Sequence, residues 1–294
     1  MLEIKNLDKG YNGGLVIRGI NLKVNKGEIH GLIGDNGAGK TTLLKCVAGI
    51  YRPAAGEVLF DGEPVYDQPT VKEKIAYVSE QLEFSRFYSV RELAKYYKIF
   101  YDSFSMDRWM ELAERFSLNQ RKTVSALSKG QRAKLYFALA LAIQPQYLIM
   151  DEPESGMDTE SKEIFRELLI DEVDKNQTAV LFSSHDLKDL ERLCDSVSMM
   201  EEGEIIVSQS IDQLMESVQK WSGVIPEQIT KNHLLEKRVY PGAAIGNLTE
   251  LFTVGDKAEN AKRLEELGIQ DCVAKQISLE EIYLTLKKEA QKKA

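Results

Sequence analysis

Residues 34–41, Gly-Asp-Asn-Gly-Ala-Gly-Lys-Thr, constrain the fold of this 294-residue chain more than any other stretch. They fit G-x-x-x-x-G-K-[ST] in full, between a buried-strand pattern at 28–33 (EIHGLI) and a helical pattern from Lys40 to about residue 50. Glycines let successive N–H groups turn inward around phosphate oxygens, and the positive end of the next helix faces the same place. Gly34, Asp35, Asn36, Gly37, Ala38 and Gly39 therefore form a candidate phosphate cradle. Lys40 supplies a cation for the outer phosphates, the Thr41 hydroxyl is placed to ligand Mg2+, and Thr42 is placed to reach an inner phosphate.

The rhythm around this loop sets the fold class. Short alternating runs over 2–24 predict an antiparallel edge sheet. Strands are expected at 57–60, 75–78, 147–150, 179–182 and 196–200. Helices are expected across 89–125 and at 128–143, 160–173 and 187–193. Strands alternating with helices imply a mostly parallel sheet covered on both faces. After about residue 208 the rhythm weakens, and 209–294 read as a small C-terminal α+β appendage closing on a charged helix at 279–288. The expected division is a nucleotide-binding domain at 1–208, with a helical subdomain at about 84–143, and an accessory domain at 209–294.

Composition removes several functions. The net charge of −8 disfavours a nucleic-acid partner, since phosphate backbones select Lys and Arg. Cys46, Cys194 and Cys272 are scattered and fit neither a disulfide framework nor a zinc ribbon, and His30, His185 and His233 form no legible metal cluster. The N-terminal residues lack a signal-peptide core, and the most apolar stretch, 136–143, is far short of the ~20 residues of a membrane helix. A cytoplasmic chain is expected; any work at a membrane needs another chain to span it.

The run 147–152 (YLIMDE) ends in two carboxylates. Asp151 is the candidate Mg2+-holding acid of a phosphate-loop enzyme. Neighbouring residues on a strand face opposite sides, so Glu152 is expected to take a separate task, orienting or deprotonating an attacking water.

Leu127-Ser128-Lys129-Gly130-Gln131 resembles LSGGQ, the signature of ATP-binding-cassette (ABC) ATPases. Other elements fall in that family's order: Tyr11 matches the adenine-stacking aromatic, Gln81 the Q-loop glutamine, Asp158 in SGMD the D-loop, and His185 in SSHDL the switch histidine. The resemblance covers about residues 2–207. It implies a P-loop NTPase ABC cassette, ATP and Mg2+ as ligands, and two cassettes paired head to tail, as homo- or heterodimer. Each nucleotide then lies between one phosphate loop and the partner's signature. It assigns Ser128, Lys129, Gly130 and Gln131 to the partner's ATP, Gln81 to the Mg2+ and water region, and His185 to the γ-phosphate and attacking water.

Two positions depart from the family pattern: Lys129 replaces the first signature glycine, and Glu154 stands where threonine is common. The tail ISLEEIYL (277–284) resembles the terminal element of ABC-2-type exporter ATPases, and the aromatic segment 87–104 is similar to a YtrB-like branch. These resemblances imply the ATPase of an exporter, peripheral on the inner face of the cell membrane and bound to a transmembrane permease subunit. The segment 84–102 would line the groove that receives the permease. The alternative is a soluble or regulatory ABC ATPase with no transport role.

Overall fold

The computed structural model describes residues 1–11, 13–79 and 87–293. By contacts the chain divides into two units: Met1–Asp186 with Leu193–Ser208, and Leu187–Arg192 with Gln209–Ala294. Elements run in the order β1 (Leu2–Tyr11), β2 (Gly14–Val24), β3 (Ile29–Gly34), α1 (Lys40–Val47), β4 (Ala55–Phe60), β5 (Glu63–Pro64), α2 (Pro69–Lys72), β6 (Ile75–Val78), α3 (Val90–Phe100), α4 (Met106–Arg115), α5 (Lys129–Ala142), β7 (Tyr147–Asp151), α6 (Thr159–Asn176), β8 (Ala179–Ser183), α7 (Leu187–Leu193), β9 (Ser196–Glu201) and β10 (Glu204–Ser210). There follow α8 (Ile211–Ser217), β11 (Val218–Val224), α9 (Lys231–Glu236), β12 (Val239–Ile245), β13 (Leu248–Val254), α10 (Lys257–Glu266), β14 (Gln270–Lys275) and α11 (Leu279–Lys293).

The first unit holds two sheets. β2-β1-β4-β5 is antiparallel, with Leu2 opposite Val24 and Ile4 opposite Leu22, so the alternating apolar side chains share one face. The second sheet, β10-β9-β3-β8-β7-β6, pairs β3 with β8 and β9, and β7 with β6 and β8, all in parallel. Its central strands β7 and β8 are buried along almost their whole length, and Tyr147, Ile149, Ala179 and Leu181 share a core with α1 and the antiparallel sheet. α1 presents Leu43, Leu44, Cys46 and Val47 to the core between the sheets. It stops short of residue 50: Gly49 takes a left-handed φ of 67° and its N–H closes on the Cys46 carbonyl, a glycine helix stop. The long helical pattern over 89–125 is broken into α3, α4 and a short 3-10 turn at Val124–Ala126.

The second unit folds around the antiparallel sheet β12-β13-β11-β14. Trp221, Val239 and Leu251 of the sheet meet Leu234 of α9 and Leu264 of α10 in one core. The closing helix runs five residues beyond the expected end, to Lys293. Its last turns, Lys-Lys-Glu-Ala-Gln-Lys-Lys, are built almost entirely of strong helix formers.

Candidate functional site

The phosphate-type loop joins β3 to α1, where its pattern placed it. Gly37 (φ 87°) and Gly39 (φ 102°) take left-handed conformations that a side chain would strain. Gly39 is the N-cap of α1 and supplies no side-chain cap, so the cradle is made of backbone groups. Lys40 is 7 % exposed, and its ammonium donates to the carbonyls of Gly34 at 2.6 Å and Asp35 at 3.1 Å. The same cation thus neutralises the loop's carbonyl dipoles and stands in the cradle.

A chain of hydrogen bonds joins this loop to the acidic strand end. Thr41 Oγ1 donates to Asp151 Oδ2 at 2.7 Å, across 110 residues of sequence. Ser183 Oγ donates to Asp151 Oδ1 at 2.8 Å and accepts from the Glu152 N–H at 3.0 Å. His185 Nδ1 lies 3.3 Å from Glu152 Oε2. Thr41, Asp151, Glu152 and His185, expected to share one site, are therefore brought together. Among the described residues no group of three or more His, Cys, Asp or Glu side chains can hold a metal. The donors that do converge, a hydroxyl and a carboxylate, are hard oxygens of the kind Mg2+ takes alongside water and phosphate, so the residues fit that ion.

Glu152 departs from the strand alternation expected of it. β7 ends at Asp151, and Glu152 lies beyond it at φ 47°, a left-handed conformation unusual for a residue with a side chain. Strand alternation therefore does not set its direction; the Ser183 anchor does. Asp151 and Glu152 line the same small recess rather than opposite sides of the sheet. Ser183, fully buried, is a site residue that the motif reading passed over; its only signal is its place two residues before His185.

Behind Glu152 lies a recess of about 140 Å3 whose lining includes Glu154, Lys162, His185 and Asp186. Lys162 Nζ is 3.9 Å from Glu154 Oε2 and 3.5 Å from Asp186 Oδ2. Lys162 links the loop that follows Glu152 to the residue that follows His185, and it sets a cation near Glu154, which is 6 % exposed.

The signature-like segment opens α5 as a capping box. Ser128 Oγ accepts from the Gln131 N–H and Gln131 Oε1 accepts from the Ser128 N–H, each at 3.2 Å. The S-x-x-Q spacing thus has a local structural cause besides any ligand. Gly130 packs against Gly156: a Cβ on Gly130 would stand 2.0 Å from the Gly156 carbonyl oxygen. Lys129 shares a recess with Asp151, Glu152 and Ser155. Asp158 is the N-cap of α6, accepting from Ser161 N at 2.9 Å and Ser161 Oγ at 2.7 Å, and it pairs with Lys134 at 3.1 Å. Those bonds, from Ser161 first and then Lys134, hold its carboxyl well below the usual range.

Tyr11 ends β1 and is 45 % exposed, its ring edge-on to Tyr51 at 6.0 Å and with Lys9 Nζ 5.4 Å from its centroid. Such a ring can offer a face to a planar base. Gln81 and Phe84 lie outside the described residues. The other rings of the aromatic segment divide their roles. Tyr97 packs on Tyr101 and Phe104, Tyr96 lies against Tyr88 and Phe100, and Phe87 and Phe100 are exposed to 90 % and 59 %.

A parallel sheet carrying a phosphate-type loop between strand and helix, flanked by an antiparallel sheet and a helical region, is the P-loop cassette fold. A solved structure described as the ATP binding subunit of an ABC transporter shares it at a TM-score of 0.67 and 28 % identity, over 73 % of this chain and 91 % of that one. The chain belongs to the ABC transporter family: a family model of that description matches residues 17–155. The ABC transporter ATP-binding protein YtrB of Bacillus subtilis is 33 % identical over 216 residues, 74 % of each chain. The Nod factor export ATP-binding protein I of Burkholderia orbicola is 32 % identical over 74 % of this chain and 73 % of its own. The galactose/methyl galactoside import protein MglA of Clostridium perfringens is 30 % identical over 73 % of this chain and 44 % of its own. Relatives thus carry both export and import names. This chain is an ABC ATPase subunit of a transporter. Among its described residues no helix is long and apolar enough to cross a membrane.

Proposed function

We propose that the chain hydrolyses ATP to drive an exporter whose membrane-spanning part is a separate permease subunit. The observation that carries the ATPase half is the unbroken line of contacts Thr41–Asp151–Ser183–Glu152–His185, which ties the phosphate loop to a carboxylate and an imidazole. In this reading the N–H groups of 34–39 and the Lys40 ammonium bind the phosphates, and Tyr11 stacks on the base. Thr41 and Asp151 hold Mg2+, which when bound neutralises charge on the phosphate oxygens. Glu152 accepts a proton from the water that attacks the γ-phosphorus as the bond to ADP breaks, and His185 orients that water through its contact with Glu152. Gln81 belongs to the same water region by resemblance.

Ser128 and the N–H groups near Gly130 serve the nucleotide of a second cassette, so hydrolysis requires a dimer; Asp158 lies at that same junction. The exposed Phe87 and Phe100 support a docking face for the permease, which would hold the chain on the inner face of the cell membrane. Export rather than import is supported by the SLEEIY tail and by the relative named for export. Affinity purification of the full chain from membranes tests the reading. Recovery of a multi-span membrane protein, lost on Phe87→Ala with Tyr88→Ala while ATPase activity is kept, is the expected result. An active chain that brings down no membrane protein supports the soluble alternative. Substrate accumulation in energised inverted vesicles carrying the complex is the signature of export, and loss from them is that of import.

A further inference from the structure

The second unit contains a recess of about 400 Å3 that no step of ATP hydrolysis uses. Its walls come from three elements. α9 gives Lys231 and Leu235, β12 gives Tyr240 and Pro241, and α11 gives Lys288 and Lys292. Each helix contributes a pair spaced i, i+4, so one stripe of each faces the opening. Three lysines therefore line one recess in a chain whose net charge is −8. None of the described lining residues is acidic. The nearby Glu289 carboxylate is buried and accepts from Arg238, and Lys292 donates to the Leu235 carbonyl. Neither Lys231 nor Lys288 has an ion-pair or hydrogen-bond partner for its ammonium among the described residues. Converging like charges raise the energy of the empty arrangement, and an anion between them lowers it. Leu235, the Tyr240 ring and Pro241 make most of the remaining wall apolar, with Gln291 the one uncharged polar residue in the lining. The volume is that of a small-molecule site and exceeds what one inorganic anion fills.

We propose that this recess binds a small amphiphilic anion: a phosphate- or carboxylate-class head held by Lys231, Lys288 and Lys292, with an apolar body against Leu235, Tyr240 and Pro241. A lipid of the membrane surface and a free amphiphile share that chemistry. The site lies in the second unit and shares no residue with the phosphate loop.

The test uses the full chain with its phosphate loop saturated by a non-hydrolysable ATP analogue. Dodecyl phosphate, kept below its micelle concentration, is titrated by calorimetry. Saturable one-to-one binding is expected, with inorganic phosphate at least tenfold weaker. Lys231→Glu with Lys288→Glu weakens dodecyl phosphate at least tenfold and leaves ATP binding and the melting temperature unchanged. No saturable binding, inorganic phosphate bound as tightly as dodecyl phosphate, or affinity indifferent to the charge reversal each overturns the proposal. Sedimentation with vesicles of phosphatidylglycerol or phosphatidylcholine separates the sources. Charge-dependent pelleting with the anionic vesicles alone supports the site with a lipid headgroup as ligand. No pelleting alongside retained dodecyl phosphate binding supports it with a free amphiphile.

Discussion

Gly130→Ala sets two physical effects against each other. In the first turn of a helix alanine is ordinarily favoured over glycine by up to about 1 kcal/mol, so helix propensity alone predicts a more stable protein. The surroundings of α5 predict the opposite. The new Cβ would stand 2.0 Å from the Gly156 carbonyl oxygen and 2.8 Å from its carbon, where ordinary contact begins at 3.4 Å. Both neighbours are backbone, and no flexible side chain can swing away. Gly156 is itself at φ 78°, with its own Cβ position 3.2 Å from the Gly130 nitrogen, so the two glycines fix each other's approach. The start of α5 must separate from the 152–158 loop by more than an ångström. Overpacking of this kind costs about 1–3 kcal/mol, which outweighs the propensity gain. With the propensity gain subtracted, up to about 2 kcal/mol is lost, and at roughly 2–4 °C per kcal/mol the melting temperature falls by up to about 8 °C. Misplacing Ser128 and the neighbouring N–H groups by that distance lowers ATPase turnover by up to about 10²-fold. Differential scanning fluorimetry and a steady-state phosphate-release assay read the two effects. Lys129→Gly is the control, since it adds no atoms to the contact. A Gly130→Ala protein that melts at or above the wild-type temperature with full turnover refutes the packing argument.

Ser183→Ala removes the hydroxyl that holds both the Glu152 N–H and Asp151, and is expected to lose about 1–3 kcal/mol of stability and to slow turnover more than it weakens ATP binding; denaturant titration and a kcat/KM split check it. Lys162→Met leaves the buried Glu154 carboxylate without its nearby cation and should destabilise by about 1–3 kcal/mol, while Glu154→Thr in the same chain recovers most of it; a double-mutant cycle reads the coupling. Burial pushes the Glu28 carboxyl up, but hydrogen bonds from His30, the Asn25 N–H and Ser196 outweigh it and hold it at about 2 against an ordinary 4.5. Its stabilisation is complete above pH 4.5 and is lost as pH falls toward 2, so Glu28→Gln should flatten the acid limb of a stability–pH profile over that window.

The phosphate loop was legible because its spacing encodes local backbone geometry, and local geometry is what a motif records. The antiparallel edge and the parallel sheet followed from period-2 runs and from buried strands set between helices. The position of Glu152 was not legible. Its left-handed backbone rests on Ser183, which β8 brings from 31 residues further along the chain. The capping boxes of α3 and α5, Ser89 with Glu92 and Ser128 with Gln131, stood in the sequence as S-x-x-E and S-x-x-Q. At α5 the residues that resemble a signature also close the helix end. Lys162 carried no motif, because its significance comes from facing Glu154 and Asp186 in three dimensions. Seven aromatic rings between 84 and 102 are more than one helix face can bury, and among the described ones Phe87 and Phe100 are the most exposed.

Single-turnover and steady-state ATP hydrolysis by the Glu152→Gln chain, measured beside its affinity for ATP, tests the account most directly. The substitution keeps the shape of the side chain and removes its basicity. The account predicts turnover reduced by about 10²–10⁴-fold with ATP binding retained and ATP held in a stable dimer. Hydrolysis near the wild-type rate with equal ATP affinity would contradict the assignment of Glu152 as the base.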